Sequence, residues 1–268
     1  MKIFISADME GISGIVAGEE CSGNDKDYAE WRKTMTLEVN AAIEGALEAG
    51  ATEILVNDSH GGGRNLVAEL LHPEAMISRG QPLPSMVAPL DGSYAAALLI
   101  GYHAKRGTAC AILDHTYSPA YHRILINGRE FGELGMAAAY AGHYATPIAF
   151  VSGDDKLEAE ARDFIPWAGA VATKYATGQR SARCLSPQKA REKIRQGVAQ
   201  ALRHRDKLKP FVVPPPLVLD VEFANAASVD QAICLRGVER TGARSVRSVF
   251  QEFPEVAKLL TMMVRVIS

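Results

Sequence analysis

The stretch KIFISADMEG, residues 2–11, sets the expectation for the whole fold. It begins with a short, mostly apolar run that predicts a buried strand at 2–7. Residues 25–49 follow with the periodicity of a helix, and Gly50 stands where helices commonly end in a left-handed residue. The chain is therefore expected to open with a strand and then a helix.

This alternation of strand and helix continues to about residue 175. Further strands are predicted at 54–57, 95–102, 124–126 and 147–152, and further helices at 66–71, at 133–144 and from residue 154 onward. Sustained alternation predicts an α/β fold with a mainly parallel sheet and helices on both faces. In such folds the functional sites gather beyond the carboxyl ends of the strands.

The pattern changes in the last third of the chain. Its segments are an irregular polar stretch at 177–186, a long helix at 186–204, a proline linker at 214–216, strands at 217–223 and 245–250, and a helix from residue 254 onward. These elements suggest an appendage of α+β type rather than more of the same sheet. We therefore predict an α/β domain at residues 1–175 and a smaller C-terminal α+β unit at residues 176–268.

The charge of the chain is nearly balanced, with 29 lysines and arginines against 31 aspartates and glutamates and a formal net charge of -2. No global field would attract nucleic acid or an anionic membrane surface. The sequence also lacks a run of about 18 apolar residues of the kind that a membrane span needs. We expect neither a nucleic acid nor a membrane as a partner.

The N-terminus lacks the continuous apolar stretch of a secretory signal, because Asp8 and Glu10 interrupt it. The cysteines are scattered without a C-x-x-C spacing, at positions 21, 110, 184 and 234. Reduced thiols without an export signal predict a cytoplasmic protein.

Side chains that bind metals stand at the ends of the predicted strands. They are Asp8 and Glu10 after the first strand, His60 after the second, His103 after the apolar strand at 95–102, and Glu133 at the start of a helix. Each of them alone has an ordinary structural explanation, since histidines often form hydrogen bonds in a core and carboxylates often stand at helix N-termini. Together they have a common destination, because the strands of a parallel sheet end at one edge.

Three carboxylates and two imidazoles exceed what a single tetrahedral zinc ion with one open position can use. Two ions that share a bridging carboxylate would use all five, so the sequence predicts a dinuclear site. Mixed oxygen and nitrogen ligands suit Zn²⁺ best, with Mn²⁺ or Co²⁺ as possible substitutes. Two divalent ions against three carboxylates leave a net positive charge, which favours hydroxide or a developing oxyanion and hence hydrolysis.

Several ordered motifs resemble the D-aminopeptidase family of bacterial dipeptide-transport operons over nearly the full length of the chain. The motifs are SADMEGISG at 6–14, VNDSH at 56–60, GYHA at 101–104, NGR at 127–129, GELG at 132–135, GDD at 153–155, CLSP at 184–187 and EFAN at 222–225. Ordered motifs of this length are far more specific than any single spacing.

The resemblance implies a zinc aminopeptidase that hydrolyses short peptides with an N-terminal D-residue, such as D-Ala-D-Ala. It implies two Zn²⁺ per chain on the five residues named above, and an active-site histidine at His115. It also implies a ring-like homodecamer that admits only small peptides. Stereoselectivity and assembly enter through the resemblance alone.

The segment around His115 departs most from the pattern of the family. Asp114 stands where a small polar residue is expected, and residues 117–121 also differ, so the preferred substrate is expected to differ as well. His122 lies near enough in sequence to be an alternative to His115. The free amino group of a peptide would bind a metal or pair with an acid such as Asp58 or Asp114.

Two other functions remain open at this point. One is a different metallohydrolase on the same kind of sheet, acting on an amide, a cyclic amide or a phosphoester. The other is a solute-binding or dinucleotide-binding module that uses the glycine-rich turn at 61–66, although this turn lacks the final glycine of G-x-G-x-x-G. A binding module would have no need of metal ligands at several strand ends.

Overall fold

The computed structural model describes residues 1–81 and 84–267 and contains two β-sheets with helices between and around them. The strands are β1 (Lys2–Ala7), β2 (Glu53–Asp58), β3 (Ala75–Ser78), β4 (Ala96–Tyr102), β5 (Tyr121–Ile126), β6 (Arg129–Glu130), β7 (Ile148–Asp154), β8 (Gly169–Gly178), β9 (Ser181–Cys184), β10 (Leu217–Phe223), β11 (Glu239–Arg240) and β12 (Ser245–Phe250). The α-helices are α1 (Tyr28–Glu48), α2 (Glu133–His143), α3 (Asp155–Phe164), α4 (Pro187–Arg203), α5 (Ala227–Ala232) and α6 (Phe253–Ile267).

The larger sheet has seven strands in the order β3-β2-β1-β4-β7-β8-β9. All neighbours pair in parallel except β8 and β9, which form an antiparallel edge. Because successive side chains point to opposite faces, Ile3 and Ile5 pack into one buried cluster with residues of α1 and α4, whereas Phe4 packs into another with residues of α2 and α3. The predicted parallel sheet with helices on both faces is confirmed.

The smaller sheet has five strands in the order β11-β12-β10-β5-β6, with antiparallel pairing throughout. Every second residue of its central strand β10, from Leu217 to Phe223, is buried, and the residues between them are partly exposed. The predicted strands at 217–223 and 245–250 have these bounds in the structure, and the predicted final helix corresponds to α6. The smaller α+β unit is thus confirmed as a structural class.

The predicted division at residue 175 stays a prediction about domains. The division of the strands between the two sheets does not coincide with this boundary, because β5 and β6 precede residue 175 and belong to the smaller sheet. Residues 169–184, which cross that line, belong to the larger one.

The prediction of an irregular stretch at 177–186 is wrong for most of its length. Residues 169–178 and 181–184 are paired as the hairpin β8–β9 at the edge of the larger sheet. The outer half of this hairpin is largely exposed on both faces, so its sequence has none of the alternation that indicates a half-buried strand. The short helix expected at 66–71 is a 3-10 turn at Ala68–Leu70.

Two glycines allow the chain to cross the edge of the larger sheet where β1 ends. Gly101 has φ of +74°, and a Cβ atom placed on it would lie 2.2 Å from the carbonyl oxygen of Asp8. A Cβ atom on Gly11 would lie 1.9 Å from the carbonyl oxygen of Tyr102. Since only glycine fits such contacts, the loop after β1 can lie directly against the end of β4.

In the parts of the chain that the structure describes, 1–81 and 84–267, no helix combines the length and the apolar character that crossing a membrane would require.

Candidate metal centre

The five predicted ligands meet at the carboxyl edge of the larger sheet. Asp8 and Glu10 follow β1, His60 follows β2, His103 follows β4, and Glu133 is the first residue of α2. All are buried except His60, which is partly exposed. Strands β2, β1 and β4 are parallel neighbours, which explains why residues far apart in sequence arrive at one place.

Neighbouring carboxylate oxygens and imidazole nitrogens of this cluster lie 3.0 to 3.5 Å apart. Asp8 lies between two histidines, with Oδ1 3.1 Å from Nδ1 of His60 and Oδ2 3.5 Å from Nε2 of His103. Glu10 Oε2 is 3.0 Å from the same nitrogen of His60, and Glu133 Oε2 is 3.4 Å from Nε2 of His103. Asp8 is therefore the shared carboxylate of two neighbouring groups of ligand atoms.

His60 and His103 each form a hydrogen bond between one ring nitrogen and a backbone carbonyl oxygen. Nε2 of His60 is 3.1 Å from the carbonyl oxygen of Cys21, and Nδ1 of His103 is 3.0 Å from that of Ala104. A carbonyl oxygen only accepts, so these nitrogens carry the proton of the neutral ring. When the ring is neutral, its other nitrogen has a lone pair that faces the carboxylates, which is the arrangement that metal-binding histidines usually have.

Three buried atoms of the cluster have no hydrogen-bond partner outside the cluster within residues 1–81 and 84–267, namely Asp8 Oδ2, Glu10 Oε2 and His103 Nε2. Leaving a buried polar atom without a partner is costly, and here three such atoms lie together on potential metal ligands. Asp8, Glu10 and His103 also offer ligand atoms that lie within 4.8 Å of one another, and so do His103, His115 and Glu133. The donor set fits divalent cations that accept both oxygen and nitrogen.

The carboxylates and imidazoles of the cluster shift each other's pKa values. Burial alone would lower the pKa of His60 and of His103, but the carboxylates around them raise both well above the usual value. Burial and the charge of Glu10 raise the pKa of Asp8 to about 6. Burial would raise the pKa of Glu10 and Glu133 as well, yet the charges of His60 and His103 lower them. Without a metal the carboxylates are compensated by protons on the imidazoles.

His115 lies beside the five predicted ligands and faces the solvent. Its ring stacks on that of His103, with centroids 4.1 Å apart and planes at 11°. Its Nδ1 donates to the carbonyl of Leu113 at 2.8 Å, and its Nε2 lies 3.6 Å from Glu133 Oε1. Leu113 has φ of 50°, a strained value of the kind found at functional sites. The side chain remains 27% exposed, so a substrate could reach it.

Three further residues are candidates from the sequence: His122 as an alternative to His115, and Asp58 and Asp114 as partners of the substrate's amino group. His122 is exposed on β5 of the smaller sheet. Both carboxylate oxygens of Asp58 accept hydrogen bonds from Asn65, and Oδ2 also accepts one from the backbone of Leu66. Asp114 accepts from the backbone of Gly107 and from Gln179. Asp58 and Asp114 therefore shape loops in this structure.

A cleft with a volume of about 400 Å³ opens from the cluster. Asp8, His60, His115 and Glu133 line this cleft, and so do residues of α6, namely Thr261, Val264 and Arg265. Sequence analysis did not anticipate a contribution of α6, because its pattern only indicates an amphipathic helix.

Lys174 is a further residue that sequence analysis missed. It is fully buried, and its Nζ donates to the carbonyls of Glu10, Ile12 and Ile15 at 2.6, 2.7 and 2.6 Å. The ammonium group thereby holds the loop that carries Glu10. No local signal in the sequence identifies it, since the lysine lies 164 residues from its first partner.

Three comparisons with known proteins agree on the relatives of this chain. A model of a family described as D-aminopeptidase matches residues 1–262. A D-aminopeptidase from Bacillus subtilis (strain 168) is 38% identical over 265 residues, which cover 98% of this chain and 96% of that protein. The solved structure of the Zn-dependent D-aminopeptidase DppA from Bacillus subtilis, described as a self-compartmentalizing protease, matches with a TM-score of 0.96 and 36% identity over 100% of this chain and 98% of that one.

Proposed function

The chain belongs to the D-aminopeptidase family and is a metallo-aminopeptidase, and from that premise we propose that it removes the N-terminal D-residue from short peptides with two Zn²⁺ per chain. The observation that carries this proposal is the convergence of the unpartnered atoms of Asp8, Glu10 and His103 at one edge of the sheet. Such atoms are expected where cations complete the site.

We assign the ligands to two ions from the distances between the carboxylate oxygens and the two histidines. Asp8 Oδ1 faces His60 together with Glu10, and Asp8 Oδ2 faces His103 together with Glu133. Asp8, Glu10 and His60 would therefore hold one ion, and Asp8, His103 and Glu133 would hold the other. Zinc suits this mixture of oxygen and nitrogen ligands, and Mn²⁺ or Co²⁺ would be substitutes.

When bound, a zinc pair supplies an activated water and polarises the carbonyl of the peptide bond. His115 is placed to transfer a proton, because Leu113 holds its Nδ1–H and leaves Nε2 directed at the cluster. Its stacking on His103 fixes the orientation of the ring. We propose that His115 stabilises the developing oxyanion or protonates the leaving amine.

The assembly and the place of action are parts of the same proposal. DppA is described as self-compartmentalizing, and this chain is similar to it over its full length. We propose a homo-oligomer, a ring-like decamer, that admits short peptides. The four cysteines are free, which supports a reducing compartment such as the cytoplasm.

A substrate panel tests the proposal. D-Ala-D-Ala, L-Ala-L-Ala, a phosphoester and a lactam are offered to the purified protein before and after chelation and after the addition of zinc. We expect hydrolysis of D-Ala-D-Ala above all others, its loss on chelation and its return with zinc. A preference for the L-peptide, the phosphoester or the lactam would refute the proposed substrate class, and activity that survives complete removal of metal would refute the mechanism.

A further inference from the structure

A fully buried lysine of β8, Lys174, holds the loop that follows β1. We propose that Lys174 is a positioning residue for the ion that Glu10 and His60 would hold, and that it sets the affinity for this ion although it is not a ligand. The inference rests on the proposed two-ion site. It adds that the two ions depend on different parts of the fold.

The ammonium group of Lys174 brings three backbone oxygens of this loop together. Its Nζ donates to the carbonyls of Glu10, Ile12 and Ile15 at 2.6, 2.7 and 2.6 Å. A protonated lysine has three donors, so each proton has one acceptor. A buried charge is costly unless it is fully hydrogen-bonded, and charge-assisted hydrogen bonds are the stronger kind. The loop and the lysine therefore stabilise each other in this one arrangement.

Two further side chains hold the same loop between the contacts of Lys174. The hydroxyl of Thr173 donates to the carbonyl of Gly11 at 2.7 Å, and Oε1 of Glu38 accepts from the N–H of Ser13 at 2.9 Å. Thr173 lies on β8 and Glu38 on α1. The backbone from which the side chain of residue 10 projects is thus fixed from two elements.

The continuation of this loop orients His60. The carbonyl of Cys21 accepts from Nε2 of His60 at 3.1 Å, and a hydrogen bond of this kind sets the ring orientation of a metal-binding histidine. Oε2 of Glu20 accepts from the N–H groups of Val16 and Ala17 at 2.8 and 2.9 Å, which joins the turn that ends at residue 21 to the loop. Residues 10–21 therefore connect one ligand of this ion with the carbonyl that orients another.

The ligands of the second ion are held by other segments. Nδ1 of His103 bonds to the carbonyl of the next residue at 3.0 Å, and Oε1 of Glu133 accepts from the N–H of Tyr117 at 2.7 Å. Asp8, which both ions would share, has its backbone N–H on the carbonyl of Ile100 at 2.8 Å. These contacts lie outside residues 10–21, so a change at Lys174 should act on the first ion alone.

The test measures zinc binding to the metal-free protein by competition with a chromophoric chelator, which gives the affinity of each ion without reference to activity. In Lys174→Met, Kd of one ion should rise roughly 10- to 100-fold, the range for losing an outer partner of a metal ligand, and Kd of the other should stay as in the wild type. Hydrolysis of D-Ala-D-Ala should be weak at limiting zinc and should return with excess zinc at an unchanged KM.

Two double variants identify the ion that is affected. In the background of Glu10→Gln, which lacks a ligand of the first ion, Lys174→Met should not weaken zinc binding further. In the background of Glu133→Gln, it should weaken the remaining ion by the same factor as in the single variant, because the two substitutions act on separate ions. The opposite pattern would overturn the inference.

A control separates positioning from a general loss of stability. Leu202→Ala removes a buried side chain of α4 from the core cluster that contains Ile12, so it should lower the melting temperature without changing either Kd. Thr173→Val removes a neutral hydrogen bond to the same loop, so Kd of the same ion should rise by a smaller factor. This milder variant decides the matter if Lys174→Met fails to fold.

The remaining outcomes distinguish this inference from the proposed function. Equal weakening of both ions in Lys174→Met and Thr173→Val, unchanged affinities in both variants, or a selective loss in Leu202→Ala as well, would overturn the inference while the peptidase function stands. A wild-type protein that binds fewer than two ions, or that does not hydrolyse the peptide, would refute the proposed function and with it this role of Lys174.

Discussion

Acidic and basic side chains meet in two contrasting regions of this molecule. At the carboxyl edge of the larger sheet, Asp8 and His103 are buried, and both have atoms without a hydrogen-bond partner in the described part of the chain. On the smaller sheet, Asp220 and Arg247 form a bidentate pair at 2.8 and 3.0 Å, with the arginine 51% exposed. In the first cluster several buried polar atoms have no hydrogen-bond partner outside the cluster among the residues that the structure describes, whereas in the second both carboxylate oxygens of Asp220 are paired.

The contrast shows how burial changes the meaning of a charged cluster. Exposed pairs are screened by water and contribute little to stability. Buried carboxylates that repel each other destabilise the metal-free fold, so their presence at one edge of a sheet indicates a function rather than a structural role. Substitutions in the buried cluster should therefore change activity strongly, whereas breaking the exposed pair should change neither activity nor stability.

The largest effect is expected for Asp8→Asn, which removes the carboxylate shared by both groups of ligands. Activity on D-Ala-D-Ala should fall on the order of 1,000-fold or more, beyond the 10- to 100-fold typical of losing a mere outer partner of a metal ligand. The melting temperature of the metal-free protein at pH 8 should not fall, because burial raises the pKa of Asp8 to about 6, and the carboxylate that is charged at pH 8 is therefore less stable in the folded protein than in the unfolded chain. A variant with normal activity and metal content would contradict the assignment.

A smaller loss is expected for His115→Ala, since the ring acts beside the metals. Turnover should drop by roughly 100-fold or more, the range for loss of a general acid or base, while the zinc content stays unchanged. Metal analysis and kinetics on the same sample make the comparison. Full turnover would remove His115 from the mechanism, and loss of zinc would make it a ligand.

Glu38 extends the contrast to a buried acid of α1 that contacts the loop after β1. Its Oε1 accepts from the backbone N–H of Ser13 at 2.9 Å, and burial raises its pKa to about 7. The folded pKa lies above the unfolded value. The protonated carboxyl therefore makes a contribution to stability that is fully present below about pH 4.5 and is lost as the pH rises through about 7. Glu38→Gln should therefore gain stability relative to wild type between pH 5 and pH 8, by about 2 kcal/mol at the upper end.

Urea unfolding of both zinc-loaded proteins at a series of pH values measures this difference. Glu44→Gln is the matched control, because Glu44 is exposed on the same helix and the same charge is removed. The control should show no such trend. A difference between Glu38→Gln and wild type that stays constant with pH would show that the carboxyl is not perturbed by burial.

The smallest effect is expected on the exposed sheet. Replacing Arg247 by methionine breaks the pair with Asp220 but leaves both sides in contact with water. We expect no measurable change in melting temperature or in activity. A clear loss of stability would mean that exposed ion pairs contribute more to the stability of this protein than their contact with water suggests.

Most of the fold could be predicted from patterns that burial imposes on the sequence. The strand at 2–7 and the strands of the smaller sheet at 217–223 and 245–250 have the predicted bounds, because one or both of their faces are buried and leave a periodic signal. The hairpin β8–β9 was missed because it stands at an exposed edge.

The candidate site divides in the same way. Asp8, His60 and His103 could be predicted to meet, since each lies within two residues of the end of a strand in a parallel sheet and such ends converge. Lys174 and Arg265 could not, because their contribution depends on contacts between distant segments that leave no local pattern. Metal ligands at strand ends can thus be inferred from the sequence, whereas a distant lysine that supports the site and the helix that also lines the cleft can be recognised only in the fold.

Titration of the metal-free protein with zinc, followed by activity and by bound metal in the same samples, tests the central claim most directly. The claim is that five side chains from separate strands and a helix hold a pair of ions. Activity on D-Ala-D-Ala should rise until two ions are bound per chain and then level off. Full activity with a single ion per chain, or two bound ions without any peptidase activity, would contradict it.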